Sequence, residues 1–384
     1  MQLEELWLRL TPTFSESAGL RREVRDFLDN ELNAGTFVPQ CNAWLEGYDP
    51  SFSKKLGERG WLGLAWPKRY GGAERSNLDR YVVIEELLAT GAPVAAHWIA
   101  ERQTGPSLLR FGSEEQKSQL LPAIARGECF VAIGMSEPDS GSDLASVRTS
   151  ARRVEGGWIV SGAKVWTSHA SRSHYIVTLC RTGDAGAGRH DGLSQFIIDL
   201  TSPGVEVRPI TLMNGHAHFA EVVFDSVFVP DNMLLGALGQ GWEQVNAELA
   251  YERSGPERFL STFPLLVTLH SEVSSDSVTE FTAIYGALVA ELVALRSMSR
   301  SIAELLNEGL VPQLEATMVK DLGTNFENSV VDAANWLAPR AILCDPPNDY
   351  DTFLTQSVLA APLFTLRGGT TEILRGIIAK GLIS

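Results

Sequence analysis

The chain has 384 residues, 44% hydrophobic and 21% charged, with a formal net charge of −15. This is the balance of an ordinary globular protein, long enough for two or three packed units around a sizeable core. The acidic surplus excludes nucleic acid or an anionic membrane as the main partner, but leaves room for a phosphorylated small molecule in a locally basic pocket.

The first residues, "MQLEELWLRLTPTF", are acidic early and lack the basic-then-apolar pattern of a targeting signal. From "ESAGLRREVRDFLDNEL" to "SEEQKSQLLPAIARGE" apolar residues recur at helical spacing, punctuated by Gly and Pro. Between residues 128 and 235 the texture changes to short β-rich runs: "WIVSGAKVW", "HYIVTLCRT", "LSQFIIDL", "VEVRPI" and "AEVVFDSVFVP". Helical periodicity returns after "DNMLLGALGQGW", broken by a polar loop at "HSEVSSDSV", and continues almost to Ser384. The expected fold is therefore α+β: a helical domain (1–127), a middle antiparallel β barrel or sandwich (128–235) and a second helical domain (236–384). The most apolar stretch, "FTAIYGALVAELVALRSM", carries Glu291 and reads as a buried bundle helix. No uncharged apolar run reaches the roughly 18 residues of a membrane span. Cys41, Cys129, Cys180 and Cys344 are widely spaced, without metal-binding spacing, which points to reduced thiols and a cytoplasmic location.

Two segments carry candidate chemistry. "FVAIGMSEPDSGSDLASVRT" (130–149) sets glycines and serines between an apolar run and a strand. Small residues let backbone N–H groups approach a planar or anionic ligand, and serine hydroxyls add donors. On composition alone the segment is equally a polar connecting loop. Downstream, "SGAKVWTSHAS" places Trp166 beside Thr167 and Ser168. An indole flanked by hydroxyls can cover a flat ring and bond its edge, although a lone Trp is more often core.

Taken together, "MSEPDSGSDL" and "GAKVWTS" resemble the flavin signature of the acyl-CoA dehydrogenase family. "WLGLAWPKRYGG", "RFGSEEQKSQLLPAIARGE", "FAEVVFDSVFVPDNMLLG" and "RGGTTEILRGIIAKGL" extend the resemblance over nearly the whole chain, in the family's order. The resemblance implies an N-terminal helical bundle and a C-terminal four-helix bundle around the β domain, FAD as cofactor, an acyl-CoA thioester as substrate and an electron-transfer flavoprotein or similar acceptor. It places Ile133, Met135 and Ser136 against the flavin ring, with Trp166 and Ser168 beside them. Ser142 falls near the flavin pyrophosphate and the thioester, and Thr370 and Glu372 near the adenosine half; Glu372 replaces a usual glutamine.

The implied reaction needs a carboxylate to take the proton α to the thioester, a flavin to accept the β-hydride, and donors to the thioester oxygen. In "PLFTLRGGTTEILRGIIAK" the family's usual carboxylate position is Gly368, which keeps only its N–H as a donor to the thioester carbonyl. Some members carry the base on an earlier helix, before an arginine. In "NAELAYERSGPERF" that place belongs to Glu252, followed by Arg253 on the substrate side. Without the resemblance, Glu252 would read as a solvated helix carboxylate paired locally.

The chain departs from the homotetrameric pattern in which a neighbour lends flavin-holding elements. It has no Arg between Arg258 and Arg296, no Gln between Gln244 and Gln313, and no Gly between Gly323 and Gly368. The half-site resembles the αβ heteromeric acyl-CoA dehydrogenases of actinobacterial steroid side-chain degradation, which implies a partner subunit. A homo-oligomer with a rebuilt site, an acyl-CoA oxidase and a non-catalytic partner subunit are the alternatives.

Overall fold

The computed structural model describes residues 15–183, 188–272, 278–310, 312–339 and 348–383. The polar loop expected within "HSEVSSDSV" falls largely on 273–277, and Cys344 on 340–347, both outside the described residues.

Local signals set the helix starts. Helix α1 spans Ser15–Asn33, and α2 spans Asn77–Ala89, where the Ser76 hydroxyl caps the first turn by accepting from Asp79 N at 3.0 Å. Helix α3, Glu114–Ala125, opens on a reciprocal cap: Gln116 N donates to Ser113 Oγ at 3.2 Å, and Ser113 N donates to Gln116 Oε1 at 3.0 Å. After the strands come α4 (Gly241–Ser254), α5 (Phe263–Glu272), α6 (Val278–Asn307), α7 (Gln313–Leu337), α8 (Asp349–Phe364) and α9 (Thr371–Ile383). Helix α4 stops at Ser254, ahead of Gly255 and a 3₁₀ turn at Pro256–Arg258; Pro256 has no N–H with which to continue it.

The chain forms two compact units. One comprises residues 1–48, 75–94 and 253–384; the other comprises 49–74 and 95–252. The division falls inside α4, between Glu252 and Arg253.

In the first unit α7 is the central helix, packed against α5, α6, α8 and α9. Helix α2 lies against α1, α5 and α6. Buried charge ties these helices together: Arg21 pairs with Glu85 at 2.8 Å and with Glu86, and Arg296 reaches Glu85 at 2.5 and 2.9 Å. Burial alone would push the Glu85 carboxyl up, but the Arg296 and Arg21 guanidiniums outweigh it and hold it below the usual range. The expectation of a buried bundle helix at "FTAIYGALVAELVALRSM" is corrected. Tyr285, Leu288, Leu292 and Leu295 form a buried stripe at helical spacing, whereas only 28% of the helix's most apolar window is buried. By length and composition alone this helix would suit a membrane span.

In the second unit eight strands form one sheet: β1 (Val131–Gly134), β2 (Ser150–Val154), β3 (Gly157–Ser168), β4 (Tyr175–Arg181), β5 (Leu193–Asp199), β6 (Val205–Ile210), β7 (Phe219–Pro230) and β8 (Leu234–Leu235). The order is β6-β7-β3-β2-β4-β5-β8, with β1 on β4. All five β-rich runs read from the sequence are strands. The purely antiparallel expectation is corrected at β4, whose edge takes β1 in parallel, Val131 opposite Tyr175, and then Ser150 of β2 opposite Arg181. Side-chain alternation is the same for either direction of pairing, so the sequence pattern could not distinguish them. Segment 135–149 thus leaves and rejoins the sheet along one edge of β4. Trp158, Val160, Phe196, Val222, Phe224 and Val227 fill the core behind it.

Candidate active site

Segment 135–149 is fixed from behind by a buried ion pair. Lys164 on β3 is fully buried, and its Nζ donates to Met135 O at 3.1 Å and to Glu137 Oε1 at 2.8 Å. The same carboxylate accepts from Arg148 N at 2.7 Å and Thr149 N at 2.8 Å. Burial works against ionisation of Glu137, but Lys164 and these donors hold its carboxyl below the usual carboxylate range. Ser136 O accepts from Val165 N at 2.9 Å, which joins the loop to β3. In a trans peptide the C=O and the following N–H point opposite ways. With Met135 O on Lys164, the Ser136 N–H is turned outward.

The predicted ring contacts lie along this edge. Ile133 is half-buried on β1, against a cluster that includes Val131, Val177 and Ile197. Met135 and Ser136 are half-buried, and Ser168 ends β3 opposite Phe219. Trp166 is 55% exposed, contrary to the core placement that a lone Trp favours. Its φ of 58° lies in the left-handed region, costly for a bulky residue, and its ring meets Phe219 edge-on at 5.9 Å. The adjacent Thr167 Oγ1 is buried and has no hydrogen-bond partner among the described residues. Ser142 is exposed, next to Asp143, which pairs with Arg189. An exposed indole beside a loop whose Ser136 N–H points away from its lysine anchor fits a flat heteroaromatic ring.

Sequence reasoning missed Glu137 and Lys164. The usable signal was Lys164 in phase with buried Trp158 and Val160, where a cation needs an enclosed partner.

The first unit holds the glycine turn between α8 and α9. Gly368 and Gly369 have φ of 70° and 105°. Buried Arg253 donates from Nε to Gly368 O at 3.2 Å and from Nη1 to Thr317 Oγ1 at 3.4 Å. A Cβ on Gly369 would lie 3.2 Å from Arg253 Nη2, tighter than side chains normally pack. These contacts make Arg253 a support of the turn. Thr370 Oγ1 accepts from Ile373 N at 3.4 Å, a cap on α9, and Glu372 is exposed in the first turn of that helix. Glu372's own N–H, with the Thr370 hydroxyl, holds its carboxyl below the usual range.

Arg367, beside Gly368, donates to Asn42 Oδ1 at 2.6 Å, Ser261 Oγ at 2.9 Å and Glu327 Oε2 at 3.2 Å. Its guanidinium lies 4.4 Å from the centre of the Trp44 ring. Glu252 sits on α4 directly before Arg253; its side chain lies outside the described residues. Glu248, one turn earlier, is buried and accepts from Gln195 Nε2 at 3.0 Å and Ser107 Oγ at 3.2 Å.

Comparison with known proteins gives the family. Family models match in chain order: the acyl-CoA dehydrogenase N-terminal domain at residues 15–128, the middle domain at 132–227 and the C-terminal domain at 285–383. The acyl-CoA dehydrogenase IpdE1 of Mycobacterium tuberculosis is 32% identical over 94% of this chain and 96% of its own length. The acyl-CoA dehydrogenase FadE34 of the same organism is 32% identical over 85% of this chain, which spans only 45% of that relative. Among solved structures, the "Tcur3481-Tcur3483 steroid ACAD" matches at 26% identity and a TM-score of 0.83, covering 98% of this chain and 99% of that one. The ChsE4-ChsE5 complex from Mycobacterium tuberculosis matches at 25% identity and 0.81, covering 97% and 98%. The chain belongs to the acyl-CoA dehydrogenase family, flavoprotein oxidoreductases that act on acyl-CoA.

Proposed function

We propose that this chain is the base-bearing subunit of a heteromeric acyl-CoA dehydrogenase, with Glu252 removing the proton α to the thioester. The observation that carries this reading is the glycine turn: Gly368 has no carboxylate, and the arginine that follows Glu252 bonds its carbonyl. Ile133, Met135, Ser136, Trp166 and Ser168 would hold the ring of FAD, Ser142 its diphosphate and the thioester, and Thr370 and Glu372 its adenosine half. When bound, FAD supplies the two-electron acceptor for the β-hydrogen. Arg253, which also supports the turn, is a substrate-binding residue, and the Gly368 N–H donates to the thioester carbonyl. An electron-transfer flavoprotein or similar acceptor reoxidises the enzyme. The three-domain division at 127/128 and 235/236 and a cytoplasmic location belong to the same reading.

A partner subunit is supported by the missing lending residues and by the paired names of two structural relatives. A relative named a steroid ACAD supports a bulky, steroid-derived acyl group. Co-expression with candidate partner chains, followed by mass, flavin content and acyl-CoA turnover, tests the proposal. One flavin per two subunits is the expected result. An active chain purified alone with one tightly bound flavin per subunit would overturn the heteromer.

A further inference from the structure

Lys320 is fully buried in the N-terminal third of α7. Its Nζ donates to Phe364 O at 3.2 Å and to Gly369 O at 3.0 Å. Phe364 is the last residue of α8, so the ammonium also meets the negative end of that helix. One side chain therefore holds both limbs of the turn, while Arg253 holds the carbonyl of Gly368 between them. In each trans peptide the following N–H points away from its carbonyl, so those of Gly369 and Thr370 face away from the two cations. Among the described residues, none accepts a hydrogen bond from the N–H of Gly368, Gly369 or Thr370. Successive N–H groups at positive φ form a concavity for an electron-rich oxygen.

We infer that Lys320 is a positioning residue for the reaction: it fixes the direction of this N–H row toward the carbonyl oxygen of a bound acyl thioester. The inference rests on the function proposed above. Burying an ammonium is costly, and a lysine used only for packing could be replaced by an apolar side chain of similar shape. A lysine that orients donors cannot, because catalytic donors act only where charge develops.

The test uses the purified flavin-loaded complex, comparing wild type with Lys320→Met and Lys320→Gln. A 3-thiaacyl-CoA, whose acidic α-proton is released when donors stabilise its enolate, gives a long-wavelength band with the oxidised flavin. In Lys320→Met the pH midpoint of that band should rise by about one unit or more, and kcat should fall about 10- to 100-fold. The dissociation constant for CoA itself should stay within about threefold. Lys320→Gln, which keeps N–H donors but no charge, should fall between. Should neither variant fold, wild-type hydrogen exchange decides: the amides of Gly368–Thr370 should slow with the thioester and not with CoA alone. An unchanged midpoint and kcat beside a lowered melting temperature, or unchanged exchange, would overturn the inference. A wild-type complex with neither band nor turnover on any acyl-CoA would instead overturn the function proposed above.

Discussion

Lys164 and Glu137 face each other at 2.8 Å, both enclosed, and together fasten the segment that carries Met135 and Ser136 to β3. Removing one partner of a buried pair leaves the other charge uncompensated, at a cost of roughly 3–5 kcal/mol. Lys164→Met should destabilise the protein by about that amount in chemical denaturation.

The same pair sets an acid limit. Because the Glu137 carboxyl is held below its ordinary value, its contribution is present above the unfolded value of about 4.3 and is lost as pH falls through the depressed folded value. Wild-type stability should drop steeply in that window. Glu137→Gln should lower stability at neutral pH and flatten this acid limb, as measured by denaturation from pH 7 downward.

Trp166 combines exposure with a left-handed backbone, a conformation that glycine adopts without strain. Trp166→Gly should leave the melting temperature nearly unchanged, while the flavin content of the purified complex falls several-fold. A loss of stability without loss of flavin would make the indole a packing residue.

Arg367 and Glu327 are coupled under the glycine turn. Burial pulls the Arg367 guanidinium down to about 10 and pushes the Glu327 carboxyl up, against their mutual attraction. Arg367→Leu should cost roughly 3–5 kcal/mol, and adding Glu327→Gln should recover part of it. Strict additivity of the two substitutions in denaturant titrations would contradict the coupling.

The cysteines give a simple chemical check. Burial pushes the thiols of Cys41 and Cys180 up to about 12 and that of Cys129 up to about 11. A thiol reagent at pH 8 should leave Cys41, Cys129 and Cys180 unmodified in the native chain and modify them after denaturation.

Much of this architecture was legible because local pattern decides it. The period-2 runs became strands, and "SEEQKSQLLPAIARGE", read as helical from its apolar spacing, holds α3. Less legible were features set by long-range contact. The parallel seat of β1 depends on β4, over forty residues away, and α6 proved apolar on a face that its own unit does not cover. The site divided in the same way. The motifs singled out Met135, Ser136, Trp166 and Gly368 as candidates. The supports Lys164, Lys320 and Arg253 act across the fold, and only coordinates show which carbonyls they hold.

The central claim is that the reaction's base stands at Glu252 and not in the turn at Gly368. Turnover of an accepted acyl-CoA by the flavin-loaded complex carrying Glu252→Gln tests it most directly. Flavin content should be unchanged and kcat should fall by roughly three or more orders of magnitude, because no other carboxylate is assigned to take the proton. A kcat within about tenfold of wild type would contradict the assignment.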